Sequence, residues 1–591
     1  MSNSNILELS LSQIRTVVNS SEKDNPELNI SILRNCTIEQ ISMFYEYLSL
    51  QLGYNLRLDI GTYDNILQDL SNSENHDKFK NADCIVIFLE IRILSPRLFY
   101  SFNTLSEHEI KKEQQNVEDY IQQTLLSIKS VSDAVVIYHG FLYPSYFVHG
   151  ILDHSYENVQ IRLIENLNKY AQNLLKDIGN GYFINVNLVK SRIGDEKFFD
   201  NRYWYISKLP YSIESLREIA SEDFKIIRAL KGKSKKCIIV DCDNTLWGGV
   251  VGEDGTHGIK LGMDYPGVCY RDFQSTILSY YNAGVTISLC SKNNEDDVWD
   301  VFEKNSNMVL KRDHISSYQI NWDDKVTNIK RISSELNISL EHITFIDDSE
   351  FEINLVKQSL PQVQCIQLPF KKPSDYRQIL SRNSLFDSLS YTNEDRVRNV
   401  FYKNQKKRDS LKVDLNNDVS KFLESLELTT KITRSDLADV NRISQLTLRT
   451  NQFNLRTQRY SESEIKEFIC SDVYDIYQIS ASDKFGEYGV IGACIIKIDK
   501  ESCFIDTFLM SCRAIGRGIE TIFLSYIIDK INEKNVFTIY AEFISSEKNV
   551  QVKDFYLQHN FRNYIKKKNY FIFNKKSKKI VIPSHITCHQ N

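Results

Sequence analysis

Short apolar runs separated by long amphipathic stretches recur in this chain up to residue 348, and that rhythm limits its fold more than any other feature. "ADCIVIFLEI" (82–91), "DAVVIYHGFL" (133–142) and "YFINVNLV" (182–189) are apolar nearly residue by residue, as strands covered on both faces must be. Between them lie helix-patterned stretches: "IEQISMFYEYLSLQLG" (38–53), "EHEIKKEQQNVEDYIQQTLLSIKSV" (107–131) and "NVQIRLIENLNKYAQNLLKDIG" (158–179). Strand–helix alternation predicts a parallel sheet with helices on both faces. The rhythm restarts after "KGKSKK" (231–236), with strands expected at "CIIVD" (237–241), "VTISLCS" (285–291) and "HITFIDD" (342–348).

A charged stretch without Pro or Gly, "NEDRVRNVFYKNQKKRDSLK" (393–412), then reads as a helical linker. Beyond it the pattern changes to a helix, several strand candidates and a Gly-rich turn, "CRAIGRGIE", that opens another helix. The expected division is 1–230, 231–385, a linker over 386–414, and 415–591. A chain of 591 residues is long enough for roughly three domains.

Composition excludes several classes. A net charge of −5 over this length gives no electrostatic reason to expect nucleic acid or an anionic membrane as partner. No apolar run approaches the ~20 residues of a membrane helix, and no signal peptide is evident at the N-terminus. The 12 cysteines form no CxxC pair, which fits free thiols in a reducing, cytoplasmic compartment.

Chemistry concentrates in the middle segment. Asp241 and Asp243 sit two apart at the end of an apolar strand, so both side chains can reach one site. Open α/β sheets bind ligands beyond the carboxyl ends of their strands. Two carboxylates there call for a hard divalent cation, Mg²⁺ first. Ser291, Lys325, Asp347 and Asp348 also fall at or near expected strand ends. In this scheme Asp241 is a phosphoryl-accepting nucleophile and Asp243 the general acid, then base. Ser291 binds a phosphate oxygen, and Lys325 balances phosphoryl charge. Asp241, Asp243, Asp347 and Asp348 form the expected metal set. Cys242 and Cys290 adjoin Asp241 and Ser291. Strand alternation points both thiols into packing, with covalent carriage of an acyl group as their alternative role.

These motifs resemble the haloacid dehalogenase (HAD) superfamily. "DCDNTLWGGVVGEDG", "GIKLGMDYPG", "LCSKNNE", "INWDDKVTNI" and "FIDDSEFE" resemble its FkbH-like branch. "DNRYWYISKLPYS" (200–212), "NEDRVRNVFY" (393–402) and "TNQFNLRTQRY" (450–460) extend the likeness outward. The implied fold is multidomain α/β: an SGNH-hydrolase-like doubly wound domain, a HAD Rossmann-like phosphatase domain, and a GNAT-like α+β domain. The intervals Thr245–Ser291 and Ser291–Lys325 are too short for a large cap, so the site is expected to be capless, with "WGGVVGEDG" as a local flap. The N-terminal domain has no GDS nucleophile at "ISILRNCTIE" and no D-x-x-H at "DNRYWYI", so it is read as non-hydrolytic, with His139 and His149 as surface or structural residues.

In the last domain "CRAIGRG" matches R-x-x-G-x-G, a loop whose backbone N–H groups can cradle a diphosphate at a helix N-terminus. The GNAT resemblance implies that Arg513, Gly516 and Gly518 hold that group, with Asn549 and Tyr556 near the pantetheine. The ligand would be coenzyme A or the phosphopantetheine arm of a carrier protein. "TNQFNLRTQRY" is read as either groove lining or helix capping. The FkbH-like resemblance implies an enzyme that dephosphorylates 1,3-bisphosphoglycerate and loads the glyceryl group as a thioester on an acyl carrier protein, in polyketide or related biosynthesis. The alternatives are a capless Mg²⁺ phosphatase on another metabolite, or a carrier-protein-binding scaffold with weak phosphatase activity.

Overall fold

The structure is a computed structural model. It describes residues 6–591 except 21–24, 147, 149, 152–158, 390–403, 405–406, 409–410, 413, 416–417, 500–501, 512–513, 535, 537, 547, 575–578 and 591. It divides into two compact units, residues 3–228 and 229–591. Most of the expected linker helix, and His149, lie outside the described residues.

The first unit holds five parallel strands: β1 (Glu27–Arg34), β2 (Asn55–Ile60), β3 (Cys84–Phe88), β4 (Val135–His139) and β5 (Gly181–Ile184), in the order β2-β1-β3-β4-β5. All five residues of β3 and of β4 are buried, as their unbroken apolar runs require. Helices Glu107–Val131 and Gln160–Ile178 turn their apolar stripes onto this sheet. At the carboxyl end of β1 the Asn35 side chain donates to Glu90 O and accepts from Glu90 N. His139 is buried, 2.7 Å from Asp223, whose other oxygen accepts from Tyr45 at 2.5 Å.

The second unit contains two sheets. One is parallel, with β6 (Cys237–Val240), β7 (Thr286–Ser291), β8 (Ile315–Ile320), β9 (Ile343–Asp347) and β10 (Gln364–Gln367) in the order β10-β9-β6-β7-β8. The chain steps outward from β6 through β7 to β8, then returns to β9 on the other side of β6. The strand order therefore reverses at β6, and side chains at the ends of β6 and β9 face a shared crevice. Between β6 and the helix at Lys325–Leu336 lie only the helices Val251–Gly258, Gly267–Asn282 and Glu295–Lys304, one 3₁₀ turn, β7 and β8. No cap domain interrupts this interval.

The other sheet has eight strands: β11 (Leu428–Arg434), β12 (Tyr474–Asp483), β13 (Gly486–Asp499), β14 (Ser502–Met510), β15 (Thr538–Glu542), β16 (Arg562–Asn563), β17 (Tyr570–Asn574) and β18 (Ile586–Gln590), in the order β16-β17-β15-β14-β13-β12-β11-β18. It is mainly antiparallel, with β14–β15 and β11–β18 paired parallel. β15 pairs only with Ser502–Ile505 of β14. Beyond that point the gap is filled by Phe453–Leu455, whose backbone bonds Phe508, Met510 and Ile544. One connected apolar cluster runs from Ile239 and Phe345 of the parallel sheet to Ile505 and Phe523 of this one.

The charged stretch contributes one anchor. Arg408 is fully buried, and its Nε and second terminal nitrogen donate to the two carboxylate oxygens of Asp483 at 2.7 and 2.9 Å. Removing one partner of such a pair strands a buried charge, which costs about 3–5 kcal/mol. We predict that Arg408→Met lowers the melting temperature of the chain, read by calorimetry, whereas Lys421→Met at an exposed ion pair leaves it unchanged within error.

Candidate active site

β6 ends at Val240 because the backbone turns out of the sheet at Asp241–Asn244, where Asn244 takes a left-handed φ of 55°. Asn is one of the few side chains that tolerate this region. The Asn244 side chain accepts from Gly249 N at 2.9 Å, and Tyr376 donates to its carbonyl at 2.9 Å. The loop is thereby held against the sheet. Trp247 is fully buried below it. Gly249 has a φ of 100°, and a Cβ there would stand 2.4 Å from Asp254 Oδ2. The expected flap is thus a pinned turn.

Asp241, Asp347 and Asp348 come together, each offering one oxygen within 4.8 Å of the others. Lys325, the first residue of its helix, inserts between two of them: its Nζ lies 2.9 Å from Asp241 Oδ1 and 2.5 Å from Asp347 Oδ2. A cation at a helix N-terminus opposes the helix dipole. Burial also works against this ammonium, but Asp241 and Asp347 outweigh it and raise its pKa. Burial, then the Asp241 charge, pushes Asp347 up to about 7 and Asp348 to about 6.

The three carboxylates fit a hard divalent cation. Oxygen ligands at this spacing suit Mg²⁺, and one ammonium leaves the cluster negative. Asp241 Oδ1 is buried and, despite its closeness to Lys325, takes no oriented hydrogen bond. Asp347 is occupied by Lys325 and by Ser349 N at 2.8 Å, whereas Asp348 accepts one long bond, 3.4 Å, from Thr245. Asp348 therefore has the freer lone pairs for a metal.

Asp243 departs from the expected metal set. Its side chain turns away and accepts from Trp247 Nε1 at 2.9 Å, Val251 N at 3.0 Å and Asn293 Nδ2 at 3.0 Å. Three donors on the flap side hold it off the cluster. Burial nevertheless raises its pKa against those hydrogen bonds, which keeps a proton within reach for general acid work. Ser291, at the end of β7, is buried and accepts from Asn293 at 3.0 Å. Asn293 thus ties Asp243 to Ser291. It stands in "LCSKNNE", but only the Ser of that motif was expected to act; an Asn two residues past a strand end carries no pattern of its own.

Both thiols are buried. Cys242 belongs to the core beside Trp247, with its thiol against the Ser291 hydroxyl, and Cys290 to the opposite face beside Ile329. Burial raises both thiol pKa values, and for Cys242 the neighbouring Asp241 adds to it. Neither is activated as a nucleophile here.

The C-terminal expectations fare differently. Arg513 lies outside the described residues. Gly516 and Gly518 have left-handed φ of 78° and 84°, and Gly518 caps the helix Ile519–Glu533. The Glu520 carboxylate lies against the N–H groups of Gly518 and of Glu520 itself, and a Cβ at Gly518 would stand 2.8 Å from Pro583 Cγ. Asn549 is fully buried and bonded to backbone throughout: Nδ2 donates to Asn454 O and Ile544 O at 2.9 Å, and Oδ1 accepts from Ser546 N at 2.7 Å. Tyr556 is buried among Phe555, Phe561 and Phe571. Both side chains serve the core. In "TNQFNLRTQRY", Phe453–Leu455 fills the gap beside β14, and Arg456 is held by Asp506 and Glu542 at 2.8 Å.

No family model and no curated protein matches the sequence. Among solved structures, the N-terminal part of BF1531 from Bacteroides fragilis, containing a phosphatase domain complexed with Mg, superposes with a TM-score of 0.58 at 26% identity, over 65% of this chain and 100% of that one. Two acetyltransferases match about a quarter of the chain, in its C-terminal region. They are the ribosomal-protein-S18-alanine N-acetyltransferase of Escherichia coli (TM-score 0.19, 15% identity, 24% of this chain, 90% of that one) and a GNAT-family enzyme of Staphylococcus aureus (0.21, 13%, 25%, 99%). The parallel sheet, its carboxylate–lysine cluster and the phosphatase neighbour together define a HAD-like phosphatase domain, and the chain as an enzyme. No helix among the described residues is long and apolar enough to cross a membrane.

Two outcomes follow from this geometry. Asp347 and Asp348 hold protons in the folded, metal-free chain at pH values where the unfolded chain has lost them. Their contribution to stability therefore falls as pH rises from about 4 to about 7, and a bound cation reverses the loss. In thermal melts, millimolar Mg²⁺ should raise Tm strongly near pH 8 and little near pH 5; an equal shift at both would exclude this cluster as the metal site. Asn549→Ala should cost about 2–4 kcal/mol of stability by stranding three backbone groups, with phosphate release unchanged well below the melting point. Wild-type stability in that variant would contradict the structural role.

Proposed function

We propose that the chain is a Mg²⁺-dependent HAD-type phosphatase and transferase that takes 1,3-bisphosphoglycerate and delivers its glyceryl group as a thioester to an acyl carrier protein. The observation that carries the phosphatase part is the pairing of a buried Lys325 with Asp241 and Asp347, beside a separately tethered Asp243. The substrate and carrier come from the FkbH-like resemblance.

Asp241 Oδ attacks the phosphorus of the ester at the 3-position, the P–O bond to the substrate breaks, and Asp243 gives its proton to the departing oxygen. A water then attacks the Asp241 phosphoester, losing its proton to Asp243 and releasing phosphate. Lys325 balances the phosphoryl charge, and Ser291, aimed by Asn293, binds a phosphoryl oxygen. Asp241 and Asp348, with Asp347 supporting, would hold Mg²⁺, which would supply the positive charge that lets a carboxylate approach the phosphoryl dianion. At the other end the carrier thiolate attacks the acyl carbon, and the acyl phosphate leaves as phosphate. The buried thiols of the domain need not take part.

A carrier must reach this crevice, and the capless site leaves it open. Tyr265, Trp322 and Phe370 stand on loops, and Phe351 in the first turn of the helix Glu350–Ser359 that follows β9, each more than half exposed. Such large apolar side chains suit a docking protein. The C-terminal domain is not assigned the pantetheine arm, because Asn549 and Tyr556 are buried in its core. The N-terminal unit is proposed to be non-hydrolytic, because Asn35 and Cys36 follow β1 where a hydrolase serine would stand.

Intact-mass analysis of a carrier protein incubated with enzyme, Mg²⁺ and 1,3-bisphosphoglycerate tests the full reading. A glyceryl adduct supports it; phosphate without an adduct would reduce the function to a metabolite phosphatase. Asp241→Asn should abolish phosphate release with the fold intact. Asn293→Ala should lower kcat by about ten- to a hundredfold, the cost of a misplaced acid and phosphate ligand; an unchanged kcat would remove Asn293 from the site.

A further inference from the structure

Ser349 and Glu352 open the helix Glu350–Ser359 directly after Asp347 and Asp348, at the spacing of a capping box, in which the glutamate turns back to the serine N–H. That bond is not made. Ser349 N donates to Asp347 Oδ1 at 2.8 Å instead. Glu352 is released from the cap and accepts from Lys292 Nζ at 2.7 Å. Its side chain is only 9% exposed, and its Oε2 is buried without a hydrogen-bond partner. The helix N-terminus favours a negative charge here, but a fourth carboxylate beside Asp241, Asp347 and Asp348 adds repulsion. Lys292 is what offsets it.

Lys292 follows Ser291 at the end of β7, and Glu352 belongs to the helix that follows β9. β6 lies between these two strands, so the ion pair crosses the carboxyl end of β6, where Asp241 stands. Cys290 feels the charges of Lys325, Asp241, Asp347 and Glu352 together, which puts Glu352 beside the cluster. This thiol packs on the face of the sheet opposite Trp247. Asp243 and Asn293, bonded to each other, belong to the flap side with Trp247. The flap thus forms one wall of the crevice, and Lys292 with Glu352 the other.

The reacting phosphoryl group has its own partners in Ser291, Lys325 and the metal site. Lys292 is a further cation. Glu352 uses one of its three N–H groups, and at 37% exposed the side chain remains open to a ligand. From the end of β6 to this wall is one to two strand spacings, about 5–10 Å, the length of a three-carbon chain with a group at each end.

We infer that Lys292 is a specificity-determining residue: it binds a second anionic group at the end of the substrate away from the ester phosphate, and Glu352 is its positioning residue. The inference rests on the proposed reaction, in which the acyl phosphate is that second group.

The probes are 3-phosphoglycerate, which ends in a carboxylate, and glycerol 3-phosphate, which keeps the ester and the neighbouring hydroxyl but ends in a neutral one. Calorimetric titration of the full-length Asp241→Asn chain with Mg²⁺ compares them without turnover. 3-Phosphoglycerate should bind about tenfold tighter or more, the worth of one charged hydrogen bond. Adding Lys292→Met should bring the two affinities within about twofold, and Lys292→Arg should keep most of the preference. If Lys292→Met misfolds, Lys292→Gln decides by the same ratio. No preference in the Asp241→Asn chain, or a preference that survives the loss of Lys292, overturns the assignment. If both affinities fall together, Lys292 serves the reacting phosphate and the assignment is again overturned. In the otherwise wild-type chain, Glu352→Gln should raise KM for 3-phosphoglycerate about fivefold or more, with kcat within about twofold and the half-saturating Mg²⁺ concentration unchanged. A changed Mg²⁺ requirement would make Glu352 a metal ligand and overturn its positioning role. Absence of turnover by the wild-type chain would count against the proposed reaction, while the binding ratio still decides Lys292.

Discussion

A buried ammonium between two carboxylates organises the phosphatase domain. Lys325 sits at the start of a helix, out of water, where both desolvation and the helix dipole oppose its charge. Asp241 and Asp347 offset that cost, and in doing so fix the ends of the adjacent strands β6 and β9 in register. Neither side of the arrangement is stable alone. Without the lysine, Asp241, Asp347 and Asp348 would repel one another; without the carboxylates, the lysine would have to leave. A divalent cation added to this cluster replaces protons on Asp347 and Asp348.

The two aspartates of the D-x-D pair divide their work because their surroundings differ. Asp241 faces the lysine and the metal site. Asp243, two residues on, faces the flap and is held by Trp247, Val251 and Asn293. One carboxylate lies against an ammonium while burial biases the other toward its protonated form. That separation is what an acid and a nucleophile in one crevice require.

Much of this could be read from the chain itself. The apolar runs located the strands, and Asp241, Ser291 and Asp347 stood at their ends because a polar residue after such a run marks where it leaves the core. Cys242 and Cys290 pack as alternation suggested. Asp243 did not follow the period of two, because β6 ends at Val240 and Asn244 turns the chain by a left-handed residue. Asn549 and Tyr556 were read by likeness to a ligand-binding pattern, yet they serve the core. Their partners, Asn454 and the ring cluster around Phe571, are brought together only by tertiary structure. Phe453–Leu455 has no strand signature of its own; it becomes a wedge because β14 and β15 part after Ile505.

The proposed chemistry rests on the middle domain and on Asp241. Rapid acid quench of the full chain with Mg²⁺ and 1,3-bisphosphoglycerate, followed by peptide mass analysis, tests that most directly. The account predicts a phosphoryl group on Asp241, absent from Asp241→Asn. Continued turnover with the label on another residue, or undiminished turnover by Asp241→Asn, would contradict it.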